Sequence, residues 1–164
     1  MIYTQWYNSP LGGILLAANN ERLTGLWFDG EKYFAQHLGQ QYEEKNSPVL
    51  QQAKHWLNVY FSGKEPDFTV PVYFNGTEFQ NEVWNILCTI PYGKTITYGE
   101  IAKRIAAKRG IIRMAAQAVG GAVGHNEISI IVPCHRVIGA NGSLTGYAAG
   151  LDKKIKLLTL EGIL

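Results

Sequence analysis

Pro133-Cys134-His135-Arg136-Val137 sets a nucleophile, a base and a cation side by side. A cysteine attacks as its thiolate, and a nearby base or cation favours that form. Consecutive residues seldom point the same way, so His135 is better placed to take the Cys134 proton through a bridging water than by direct contact. Ile128-Ser129-Ile130-Ile131-Val132 reads as a buried β-strand. Pro133 ends that strand and presents Cys134 at its carboxyl end. From these residues alone two readings stand level. Cys134 is a reactive thiol, or it is a small buried hydrophobe, the commoner state of an isolated cysteine. The other cysteine, Cys88, falls beside the apolar stripe of a helix and is expected to be a buried structural thiol.

Charge is the second signal. The net charge of +2 conceals an asymmetry. Residues 1–82 hold 5 Lys/Arg against 9 Asp/Glu, a balance of −4, and residues 83–164 hold 10 against 4, a balance of +6. A basic half points to an anionic partner for that half, although a solvated basic face fits charge alone equally well. Lys103, Arg104, Lys108, Arg109 and Arg113 fall within eleven residues without an acid. Such side chains give phosphate affinity without sequence choice.

These groups need elements to hold them. Thr97-Tyr98-Gly99-Glu100 has the capping-box pattern and opens a helix with Ile101, Ala102 and Ile105. Gly110 interrupts it, and a further helix is expected over residues 112–123. Two short helices around a Gly-containing turn read as a helix-turn-helix. The second helix is small-sided, with Ala115, Ala116, Ala118, Gly120 and Gly121. Tight helix packing and close approach to another surface explain those residues equally. Upstream, Thr77-Glu78-Phe79-Gln80 is another capping box, opening a helix with Phe79, Val83, Ile86, Leu87 and Ile90 inward. The first thirty residues read as strands, with Asn19-Asn20 as a hairpin turn. A short helix is expected over residues 32–38. A longer one starts at Ser47-Pro48 and carries Leu50, Ala53, Leu57 and Tyr60 on one face.

Composition bounds the rest. The chain has 164 residues, 46% apolar and 17% charged, so it can bury a core and is not a disordered tail. No apolar run reaches a membrane-spanning length, and the N-terminus lacks a signal-peptide pattern. Two cysteines cannot make a disulfide scaffold or a Cys-rich zinc site. A reducing, cytoplasmic setting is the expectation.

Several blocks together resemble one family. Pro133-Cys134-His135-Arg136-Val137 resembles the active-site signature of the O6-alkylguanine-DNA alkyltransferases. Ile90-Pro91-Tyr92-Gly93-Lys94-Thr95-Ile96-Thr97-Tyr98 resembles the family's entry into its helix-turn-helix. Ala118-Val119-Gly120-Gly121-Ala122 resembles the end of its recognition helix. Asn126 stands where the family has an Asn. Gly142-Ser143-Leu144-Thr145-Gly146-Tyr147 and the Leu157-Leu158 pair with Glu161-Gly162 resemble the loop after the site and the C-terminus.

The resemblance implies an α/β N-terminal domain with a small β-sheet and helices over residues 1–75. A mainly α C-terminal domain over residues 76–164 would hold the helix-turn-helix and the active site. It implies single-turnover transfer of an alkyl group from O6-alkylguanine in duplex DNA to Cys134. Glu161, His135 and a water would deprotonate Cys134, and Asn126 would tie down its turn. Tyr98 would help rotate the nucleotide outward. Tyr147, Ala148, Ala149 and Gly146 would line the alkylguanine pocket. Ala115, Ala118 and Gly121 would enter the minor groove, with Arg113 and Arg136 among the DNA contacts. The family's gap-filling Arg is replaced by Gln117, which has no charge and no guanidinium plane. No metal or organic cofactor is expected, and the chain is expected to act as a monomer. The rival classes are a binding module for alkylated DNA, a redox-sensing DNA-binding regulator, and a cysteine hydrolase built on Cys134 and His135.

Overall fold

Alternation and turn chemistry build the first sheet. The computed structural model describes residues 1–36 and 38–164. Strand β1 (Ile2–Ser9) turns at Pro10-Leu11 into β2 (Gly12–Ala18), antiparallel, with Trp6 opposite Leu15. The Asn19 side chain accepts from the N–H groups of Glu21 and Arg22, closing the expected hairpin into β3 (Leu23–Phe28). A short strand β4 (Tyr42–Glu44), not foreseen, adds to β1 in parallel, giving the order β3-β2-β1-β4. Ile14 to Ala18 are all buried, so β2 is covered on both faces. Helix α1 (Pro48–Phe61) packs on this sheet through Leu50, Ala53, Leu57 and Tyr60, and starts at the expected Ser47 cap. Leu15, Ala17 and Trp27 form a cluster against which Ile2 and Phe34 pack.

The expected helix over residues 32–38 is absent among the described residues. Residues 32–36 form turns, with Tyr33 at φ 64° and Ala35 at φ 49°, conformations a helix cannot contain. His37 lies outside the described residues.

The chain divides into two compact units. One holds residues 1–74 and residues 127–131, and the other holds residues 75–126 and 132–164. The return of residues 127–131 to the first unit is held by backbone bonds on both sides of Leu26. The Leu26 N–H donates to the Glu127 carbonyl at 2.8 Å, and the Ser129 N–H to the Leu26 carbonyl at 3.0 Å. The Trp27 indole N–H adds a bond of 2.8 Å to the Glu127 carboxylate. This return corrects the expectation of a strand over residues 128–132. Only Ile128 bridges to the sheet, and the chain then turns, with buried Ile130 at φ 69°. The apolar run records burial, which a tight turn and a strand share.

The second unit is mainly helical. Helix α2 (Glu78–Leu87) opens at Thr77 with the expected capping box, both bonds formed. Its buried stripe is Val83, Trp84 and Leu87, while Phe79 and Ile86 are half-buried. Cys88 is exposed, not buried, because α2 ends at Leu87 and the stripe does not extend to it. Strand β5 (Ile96–Thr97) leads into α3 (Tyr98–Arg109), where the Thr97 hydroxyl accepts from the Glu100 N–H. The Glu100 carboxylate instead faces Arg104 at 3.5 Å. Gly110, at φ 67°, ends α3 in the left-handed conformation that favours glycine. Helix α4 (Ala116–Gly124) begins four residues later than expected. Residues 110–115 are therefore a connection, and Ala115 stands at the cap position. The Trp84 indole N–H donates to the Ala122 carbonyl at 2.8 Å and ties α2 to α4. A 3-10 turn (Cys134–Arg136) runs into β6 (Val137–Ile138), which pairs with β5 in parallel. Helix α5 (Leu151–Leu160) closes the unit with Leu157 and Leu158 buried. No helix among the described residues is long and apolar enough to cross a membrane.

The Trp27 indole lies flat across Gly25, where an added Cβ would sit 2.0 Å from the ring. Gly25→Ala must displace that indole and its bond to Glu127. The expected result is a loss of about 1–3 kcal/mol in urea unfolding, with earlier amide exchange at residues 127–131. Unchanged exchange there would contradict the role given to Trp27.

Candidate active site

Cys134 is the first residue of the 3-10 turn and is 6% exposed. Its N–H donates to the Val132 carbonyl at 2.8 Å. The buried Asn126 side chain donates to the same carbonyl at 2.9 Å. One carbonyl thus joins the end of α4 to the turn that carries the thiol.

His135 points into the core. Its Nε2 meets Glu161 Oε2 at 2.5 Å, with both side chains fully buried. The other Glu161 oxygen, Oε1, accepts from Arg136 Nε at 2.8 Å and from the Gly93 N–H at 3.0 Å. Arg136 also donates through a terminal nitrogen to the Ile90 carbonyl at 2.8 Å, and its guanidinium lies over the Tyr92 ring. Gly93, at φ 76°, aims its N–H into this network from the end of the Ile90-Pro91-Tyr92-Gly93 turn. One carboxylate therefore takes three donors from two other segments of the chain.

The charges follow from this packing. Burial raises the Glu161 carboxyl, but the bonds and charges of His135, Arg136 and Gly93 outweigh it and hold the group at about 2. Burial pushes the His135 imidazole below its ordinary 6.5, against the pull of Glu161. Glu161 is thus ionised, His135 is neutral near pH 7, and Arg136 balances the carboxylate. Arg136, expected among the DNA contacts, is 7% exposed, and its Nε and one terminal nitrogen bond inside the fold.

Two more residues, Tyr98 and Lys154, lie near the thiol of Cys134. Tyr98 is half-buried and opens α3. Burial raises the Tyr98 hydroxyl and lowers the Lys154 ammonium. Lys154 was missed by sequence reasoning. It is fully buried and donates to the Val137, Thr145 and Gly146 carbonyls at 2.7, 2.8 and 3.3 Å. The available signal was its spacing: positions 154, 157, 158 and 161 share one helical face. The lysine staples the segment after β6 to α5. Tyr147 and Ala148 follow that staple and are half-buried.

The remaining expected residues lie on α4 and before it. Arg113, Ala115, Gln117, Ala118 and Gly121 are all exposed. A Cβ at Gly121 would meet nothing within 4 Å, so packing inside this chain does not require glycine there. A Cβ at Gly120 would lie 3.8 Å from the Tyr98 ring, an ordinary contact. The structure brings Cys134, His135, Glu161, Asn126 and Tyr98 into one buried region, and it leaves the α4 residues on an open surface.

Known proteins resemble this chain in sequence and fold. Residues 2–76 match the family model for the 6-O-methylguanine DNA methyltransferase ribonuclease-like domain, and residues 78–163 match that for its DNA-binding domain. The chain belongs to the O6-alkylguanine-DNA alkyltransferase family. A relative from Methanosarcina acetivorans, named methylated-DNA–protein-cysteine methyltransferase, is 48% identical over 98% of this chain and 99% of its own length. The alkyltransferase family also supplies the structural likenesses. Mycobacterium tuberculosis OGT in complex with DNA is 43% identical, with a TM-score of 0.84 over 97% of this chain and 92% of that one. An O6-methylguanine DNA methyltransferase from Methanococcus jannaschii is 27% identical, with a TM-score of 0.65 over 98% of this chain and 94% of that one.

The buried network has a pH signature. A lowered histidine binds fewer protons folded than unfolded, so its contribution falls as pH drops below 6.5. The depressed Glu161 stabilises fully above about 4.5 and ceases to do so as pH falls through about 2. Urea unfolding should therefore show stability declining below pH 6.5 and again below 4.5. Glu161→Gln should lose about 3–5 kcal/mol at neutral pH and flatten the acid limb. A variant as stable as the parent at pH 7 would contradict the network.

Proposed function

We propose that this chain repairs alkylated DNA by moving the alkyl group of O6-alkylguanine in a duplex onto Cys134. One observation carries the assignment of residues: the acceptor thiol sits on a turn whose next residue, His135, is locked by Glu161 at 2.5 Å. Family membership supports the reaction class. The DNA complex of the Mycobacterium tuberculosis relative supports duplex DNA as the partner.

Glu161 holds Nε2 of His135, so the proton of Cys134 passes to Nδ1 through a water. This is the nucleophile–base–orienter logic of hydrolase triads, lengthened by one water. The thiolate sulfur attacks the O6-alkyl carbon in line. The carbon–sulfur bond forms, the carbon–oxygen bond breaks, and guanine leaves as an anion that takes up one proton. The thioether resists thiol exchange, so each chain acts once. Tyr98 guides the flipped nucleotide, and Tyr147, Ala148 and Gly146 line its pocket. The exposed face of Ala115, Ala118 and Gly121 lies in the minor groove, with Gln117 against the vacated stack and Arg113 on phosphate. The working unit is a monomer. The setting is the reducing cytoplasm, where Cys134 stays a thiol. A binding module without transfer would have no use for the acceptor cysteine, and that reading is not favoured.

Intact mass after mixing with duplex carrying O6-methylguanine is the test. The expected result is one added methyl per chain, mapped to Cys134 and absent in Cys134→Ala. Binding without modification would overturn the transfer reaction.

A further inference from the structure

The connection between α3 and α4 carries an apolar surface that the site leaves unused. Ile112 has its whole side chain in solvent, at 104% relative exposure, and Ile111 beside it is 43% exposed. Singly exposed apolar residues are ordinary on protein surfaces, but two consecutive isoleucines at a turn are not a solvent-adapted choice. Their surroundings are basic. No acid occurs from residue 101 to residue 126, and Lys103, Lys108 and Arg113 are exposed nearby in the chain. A groove of about 560 Å³ lies along this connection, lined by Ala102, Ala106 and Met114 with Lys103 and Arg113 among its walls. It leads directly into α4, which starts at Ala116.

We propose that Ile112, flanked by Ile111, is an apolar wedge that docks in the minor groove of duplex DNA beside phosphates held by Arg113 and Lys103. The proposal rests on the reading that α4 faces that groove. Minor-groove proteins insert isoleucine and similar side chains against sugars and base steps. The charge pattern selects a polyanion as the occupant, because a second copy of this chain would bring like charges together. The wedge also supplies grip beside Gln117, which carries no charge of its own.

Fluorescence anisotropy with a short undamaged duplex, over a series of salt concentrations, tests this. Ile112→Ser should weaken binding about tenfold at every salt concentration without changing the salt slope, the loss expected for roughly one buried isoleucine. Arg113→Gln should reduce the slope by about one. Ile155→Ser, at an exposed isoleucine on α5, should bind like the parent. Equal melting temperatures for the parent and Ile112→Ser separate lost contact from lost fold. Parent-like affinity in Ile112→Ser overturns the wedge, as does a parent dimer in sedimentation that Ile112→Ser dissolves. A parent chain without duplex affinity overturns the proposed function itself.

Discussion

The Glu161 carboxylate joins three segments that are far apart in sequence. Gly93 comes from the turn after α2, His135 and Arg136 from the turn that carries Cys134, and Glu161 from the end of α5. Removing a carboxylate from water is costly, and this one is compensated by a guanidinium, an imidazole contact and a backbone N–H. The same bonds that make burial tolerable fix the imidazole in one orientation. Stability and the proposed relay therefore share one interaction.

Around that centre, buried polar side chains rather than regular strands hold the irregular segments. Asn126 pins the turn before Cys134 through the Val132 carbonyl. Lys154 gathers three carbonyls from the stretch after the site. Such loops carry backbone groups that no ladder satisfies, so a side chain must satisfy them. Beyond the buried region, α4 presents alanines and an open glycine face, with cations on the connection before it. The thiol is enclosed, while the α4 surface is small-sided and open.

Much of this was legible in sequence. The caps at Ser47, Thr77 and Thr97 and the stop at Gly110 act locally, so residue type placed them. The pentad at Cys134 and the distant Glu161 were legible through the family resemblance. What failed had no local signal. The run at residues 128–132 has a strand's composition, yet Asn126 and the bonds to Leu26 turn it. Tyr33 and Ala35 adopt positive φ that no propensity anticipates. Arg136 was expected among the DNA contacts and Lys154 was missed, because burial of a cation depends on carbonyls and a carboxylate supplied from elsewhere in the chain.

The central claim is that Glu161, acting through His135, makes Cys134 a nucleophile. The direct measurement is the single-turnover rate of transfer to Cys134 across a range of pH, for the parent and for folded Glu161→Gln. The parent should hold its rate at neutral pH, and the variant should be slower there by about a hundredfold. The gap should narrow as pH rises, because solvent then takes the thiol proton without the relay. An equal rate at neutral pH, or a ratio that stays constant across the range, would contradict the account.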